Sequence, residues 1–104
     1  MNETNRETGL SARLAAQRLV MGVLGKGRAL DEASVEEAAV GGLRDAAPAD
    51  KGFARAIAAT TLRHLGEIDI ILSRLVEKPL PKRAGLTQTI LRTSIAEILF
   101  LGVA

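Results

Sequence analysis

Glu67-Ile68-Asp69-Ile70-Ile71-Leu72-Ser73-Arg74-Leu75-Val76 is the stretch that decides the fold. Ile68, Ile71, Leu72, Leu75 and Val76 recur at i, i+3, i+4, i+7 and i+8, the spacing that lines apolar side chains along one face of a helix. Ile70 falls off that stripe, toward a different neighbour. The spacing predicts a helix over about 67–78. Pro79 and Pro81 close it, because proline has no amide donor and clashes with the preceding turn. Pro79-Leu80-Pro81-Lys82-Arg83-Ala84-Gly85 then reads as a stiff, basic connector.

The same period extends in both directions. Beyond the connector, Leu86, Ile90, Leu91, Ile95, Ile98 and Leu99 predict a helix over about 86–101. Before it, Phe53, Ile57, Ala58, Leu62 and Leu65 predict one over about 51–65, with Asp50 as N-cap and Gly66 as its stop. A weaker helix over 31–44 has a thin apolar face of Val35, Ala38, Ala39 and Leu43. Asp31 or Ser34 would cap it, with Glu36 and Glu37 near its positive end. The first helix, about 12–25, starts at Ser11 and carries Ala16, Leu19, Val20, Val23 and Leu24. Gly25 and Gly27 end it, since glycine readily takes the left-handed conformation past a helix end. Residues 1–10 are polar and read as a disordered leader, which leaves 11–104 as one domain. Alternation never lasts four residues outside a helical pattern, so the fold class is all-α, a bundle of about five helices.

Composition agrees. The 104 residues suit a single core, and the aromatic share is only 2%, Phe53 and Phe100. Leu, Ile, Val and Ala must therefore fill the interior, as in packed helices rather than sheets. No cysteine is present, which removes disulfides and thiolate metal sites and suits a cytoplasmic location. The opening lacks the apolar run of a signal peptide. Arg92 and Glu97 interrupt the most apolar stretch, Ile90 to Val103, which is also too short to span a bilayer, so no membrane partner is expected.

Net charge is +2, unevenly placed. Residues 1–50 hold six Lys/Arg against eight Asp/Glu, and residues 51–104 hold eight against four. Such asymmetry is compatible with a nucleic-acid face and also with an ordinary solvated surface. Gly22-Val23-Leu24-Gly25-Lys26-Gly27 superficially suggests a phosphate loop, but Val20 and Gly27 stand where glycine and a hydroxyl residue are needed. It reads as a helix stop. His64, the only histidine, has Thr60 and Thr61 nearby yet no means of building an oxyanion hole. A histidine near a helix C-terminus more often serves the dipole. Glu36 and Glu37 diverge on a helix, as do Glu67 and Asp69, so no metal site is expected. Arginines remain, and arginine suits phosphate because its planar fork donates two hydrogen bonds to one oxyanion. Arg13 and Arg18 lie on the first helix, Arg55 and Arg63 on the third, Lys82 and Arg83 in the connector, and Arg92 on the fifth. With no aromatics to stack bases, contact would favour the backbone of structured RNA.

Arg13-Leu14-Ala15-Ala16-Gln17-Arg18-Leu19-Val20, followed by Gly27-Arg28-Ala29-Leu30-Asp31-Glu32-Ala33, resembles the opening of the N-terminal domain of Sun/Fmu-type 16S rRNA cytosine-5 methyltransferases. Asp50 to Ala56 with Thr61 to Leu65, Glu77 to Pro81, and Ile90 to Arg92 through Leu99 to Leu101 match its later landmarks in order. The resemblance implies a NusB-like helical bundle that binds or positions RNA, 16S rRNA in this family. It implies RNA contact by Arg13 and Arg18, and Arg55, Arg63 and Arg92 match recurring basic positions of the family; with Lys82 and Arg83 of the basic connector, Arg55 and Arg92 are the further candidates for RNA contact. It also implies a partner catalytic domain that binds S-adenosylmethionine, with no cofactor and no catalysis in this chain. The alternatives are a NusB-type transcription antitermination factor and a helical docking module that self-associates. The antitermination factor's tyrosine late in the first helix is absent, and the Lys78-Pro79-Leu80-Pro81 connector favours the methyltransferase type. Two departures from that type stand out: the chain stops at Val103-Ala104 while still apolar, as a family domain would if its last helices were missing, and the cofactor-binding sheet and catalytic cysteines are absent from it.

Overall fold

The computed structural model describes residues 2–40, 43–78, 80–81 and 84–102, with side chains from residue 9 onward except those of 39 and 40. Among these residues the backbone is helical wherever it is regular, in five α-helices and a terminal π-helical turn. They are α1 (Asn2–Lys26), α2 (Leu30–Val40), α3 (Pro48–Arg63), α4 (Leu65–Leu75) and α5 (Gly85–Ile95), with the π turn over Ala96–Phe100. The all-α class read from the sequence is the class observed.

Alanine organises the core. α1 buries Ala12, Ala15, Ala16, Leu19 and Val20 on one face. These small residues let α1 approach α3 closely, and Ala54, Ile57, Ala58 and Thr61 meet it from the other side. α2 crosses α1 where Gly22 faces Ala33, and a Cβ built on Gly22 would lie 3.8 Å from the Ala33 methyl. α4 lies against α5 and α3, contributing Ile68 and Leu72. α5 returns across α1, so the last helix closes on the first.

Several boundaries differ from the sequence reading. α1 begins at Asn2, so residues 2–10, expected as a leader, have helical backbone, and Ser11 is interior rather than a cap. α3 starts at Pro48, which suits a first turn because that amide needs no partner. Asp50 therefore lies in the first turn, where its charge meets the positive end of the helix, and Ala47 is the N-cap. α4 ends at Leu75, three residues before the predicted stop. Past Ile95 the helix widens into the π turn: Leu101 N–H donates to Ala96 C=O at 3.1 Å, a bond one residue longer than the α-helical one.

That widening accompanies an inversion of the predicted face. Leu86, Ile90, Ile98 and Leu99 are exposed, Ile98 at 62%, whereas Thr89, Thr93, Ala96 and Glu97 are buried. Thr89 and Thr93 can face inward because each hydroxyl donates to its own helix, to Gly85 O at 2.8 Å and Ile90 O at 3.1 Å. Leu75 and Ile70 are likewise exposed on α4, and Val35 on α2, where Ala33 is buried instead. α1 is two-faced as well. Opposite its alanine face, Leu10, Leu14, Met21 and Leu24 are exposed at spacings of four, seven and three residues, with the polar Gln17 in the gap.

Candidate nucleic-acid interface

Each described arginine expected to meet RNA is tied to a carboxylate of another helix. Arg13 donates from Nε to both oxygens of Glu97, at 2.9 and 3.2 Å. Its guanidinium carbon lies 5.4 Å from the Phe53 ring centroid, within cation–π range. Arg18 donates from Nε and Nη2 to Glu37, the shortest contact being 2.6 Å. Arg55 reaches back to α2, to Asp31 at 2.6 Å and the Ser34 hydroxyl at 3.2 Å. Arg92 forms a two-pronged pair with Asp69, at 2.8 and 2.9 Å, joining α5 to α4. Lys82 and Arg83 lie outside the described residues.

Burial separates these pairs. Glu37 and Glu97 are each 8% exposed, so both carboxylates have left water and depend on their arginines. The side chains of Arg13 and Arg18 remain 40% and 48% exposed. Arg92 is mostly covered, which makes it a strut between helices rather than a surface group. The hydrogen bond from Arg18 to Glu37 raises the arginine's pKa further above its ordinary value, so it stays charged throughout. Five residues apart, Arg13 and Arg18 leave α1 about 140° apart around its axis, one toward the π turn and one toward α2. The exposed Leu14 and Met21 lie on the outer surface between those flanks.

α2 acts as the acidic rail of this arrangement. Asp31, Glu36 and Glu37 take Arg55, Arg28 and Arg18 respectively. Adjacent Glu36 and Glu37 thus serve different arginines, in keeping with their divergence on a helix. At the opposite end, the His64 ring stacks on Phe100 at 4.0 Å between centroids, nearly parallel, while its Nδ1 lies 2.9 Å from Glu67. His64 ends α3 and precedes α4, so the stack pins that corner to the π turn. Among the described residues there is no cluster of His, Cys, Asp or Glu that could hold a metal ion.

The carboxylate partners escaped the sequence reading. Their signal was present: Glu97 and Asp69 each interrupt an apolar helical run, and a charge placed there must find a partner. Lys26 was also missed. It lines a groove of about 260 Å³ between α1 and α2 with Arg18, Met21, Arg28, Glu36 and Glu37.

The profile of the NusB family matches residues 10–103. A ribosomal RNA small subunit methyltransferase B of Xanthomonas campestris pv. campestris is 32% identical over 90 residues, which is 86% of this chain and 20% of that protein. The chain thus spans about a fifth of that relative's length. No solved structure matches it significantly. The match across nearly the whole helical domain, with the all-α architecture, places this chain in the NusB family.

Proposed function

We propose that the chain is an RNA-binding and RNA-positioning module of a bacterial rRNA cytosine-5 methyltransferase, acting in the cytoplasm on structured 16S rRNA. The observation that carries this reading is the pair of half-exposed arginines on α1, each held by a buried carboxylate. Arg13 spends only its Nε on Glu97, and its two terminal nitrogens keep their hydrogens for a phosphate. Arg18 retains Nη1. A guanidinium already fixed by one partner loses little rotamer freedom on meeting a second. The chain would do no methylation itself. It has no cysteine, the nucleophile of covalent cytosine methylation, and S-adenosylmethionine would bind a separate catalytic domain.

Isotope-labelled chain titrated with a 16S rRNA hairpin tests this. The amides of α1 around Arg13 and Arg18 should shift most. Shifts confined to α4 and α5 would favour the second reading, a docking module. That reading draws on the exposed Leu86, Ile90, Ile98 and Leu99 and commits to a second copy of this chain as occupant.

A further inference from the structure

The groove between α1 and α2 holds a combination that the arginine pairs do not explain. Its buried apolar lining is Leu19 and Ala33, the exposed Met21 stands at its outer edge, and its rim carries three cations and two carboxylates. Arg18 is committed to Glu37, and Arg28 to Glu36 at 2.7 Å. Lys26 is exposed, has no carboxylate within 4.0 Å among the described residues, and is the surplus charge. The rim therefore sums to +1, a match for one phosphodiester. Backbone bonds from Gly27 N–H to Val23 C=O and from Arg28 N–H to Gly22 C=O fix the turn that presents Lys26 and Arg28. The volume, about 260 Å³, suits one base with its sugar, and the groove is open to solvent on its outer side.

We infer that this groove binds a single nucleotide, its phosphate on Lys26 and its base over Met21, with Glu36 accepting a hydrogen bond from an exocyclic amino group. Met21 supplies the contact that aromatic rings make elsewhere, since a thioether packs favourably against aromatic faces and edges. Glu36 meets Arg28 through Oε2 at 2.7 Å, and a half-exposed carboxylate has lone pairs enough to accept a further hydrogen bond. The Arg28 hydrogen bond also holds the Glu36 carboxyl below its ordinary range, so it is ionised at neutral pH and accepts only. Bases with an amino group, cytosine, adenine and guanine, are thereby favoured over uracil. The nucleotide can be free or presented by an RNA strand; in the second case the inference deepens the RNA-binding reading and rests on it.

Titrating the labelled 104-residue chain with cytidine, adenosine and uridine 5′-monophosphates, and with inorganic phosphate, tests the groove. The inference expects saturable shifts confined to Val20–Gly27 and Ala33–Glu37. Cytidine or adenosine monophosphate should bind more tightly than the uridine compound, and phosphate alone more weakly than any. Lys26→Ala should weaken binding about fivefold and Met21→Ala by a similar factor, both being surface changes that leave the fold intact. With a single-stranded RNA, Lys26→Ala should lower the salt slope by about 0.7, one phosphate contact. Equal shifts from phosphate and nucleotides, or no saturation at millimolar nucleotide, would overturn the groove. An RNA that binds through Arg13 and Arg18 yet ignores Lys26→Ala, with no saturable binding of the mononucleotides, would sink the inference and spare the RNA-binding reading. Nucleotide binding without RNA binding would do the reverse, leaving a site for free nucleotides.

Discussion

At the scale of single residues, the chain solves one problem repeatedly: a carboxylate inside or beside the core is matched by an arginine from another helix. The Arg13–Glu97 pair links positions 84 residues apart. Removing one partner of such a pair costs more than the pair itself contributes, because the survivor stays buried and unpaired. Glu97→Ala should therefore lower stability by about 1–3 kcal/mol, measured by urea unfolding. Arg13→Ala, which strands the buried carboxylate, should cost at least as much, and the double variant should recover part of the sum. Strict additivity would show that the two do not interact. Glu36 gives a pH test. Arg28 depresses its folded pKa, so the pair's contribution is complete above the unfolded value near 4.5 and is lost as pH falls through the lower folded value. The gap in urea midpoint between wild type and Glu36→Gln should hold from about pH 6 to the ordinary carboxylate range and close below it. A gap that widens in acid would contradict the assignment.

At the scale of elements, the sequence read well for the centres of the α4 and α1 stripes. Ile68, Leu72, Leu19 and Val20 are buried, while Leu75 and Leu24, at the ends of the same stripes, are exposed. It read poorly on α5, where a run of large aliphatics looked like a core face. The structure buries threonines there, because their hydroxyls are satisfied within the helix, and turns Leu86 and Ile90 outward. Periodicity locates stripes but does not say which of two is covered. The candidate site was half legible. The arginines were visible as phosphate-binding chemistry, but partners far away in sequence, Glu97 above all, lie beyond any local pattern. The α1 stop was read through Gly25 and Gly27, and Gly27 does take the left-handed conformation, with φ of 68°. A Cβ there meets no atom within 4 Å, so the cost of Gly27→Ala is conformational alone. It should be about 1 kcal/mol in thermal or urea unfolding, whereas Gly25→Ala, inside α1, should leave stability unchanged or raise it by up to about 1 kcal/mol. Equal effects would refute the conformational explanation.

At the scale of the molecule, the helices form a body of 39 × 31 × 22 Å with unlike faces. The α1–α2 side carries the groove with the Arg18–Glu37 and Arg28–Glu36 pairs, and α5 with its π turn carries the exposed Leu86, Ile90, Ile98 and Leu99. No described helix is long and apolar enough to cross a membrane. Exposed apolar side chains in series favour association, so sedimentation should show self-association at high concentration that Leu86→Ser/Ile98→Ser abolishes. Because both side chains are largely solvated, that variant should change monomer stability by less than about 0.5 kcal/mol. Unchanged association would remove this face from consideration.

The central claim is that α1 meets RNA through Arg13 and Arg18, and fluorescence anisotropy with a labelled 16S rRNA hairpin tests it most directly. The chain and an Arg13→Lys/Arg18→Lys variant, which keeps both charges but loses the guanidinium fork, would be compared at two salt concentrations, with circular dichroism confirming the fold. The account predicts binding that weakens with salt, weakens about tenfold in the lysine variant, and falls to background with alanine at both positions. Binding of equal strength in all three proteins, or none at low salt, would contradict it and leave these arginines as ties between helices.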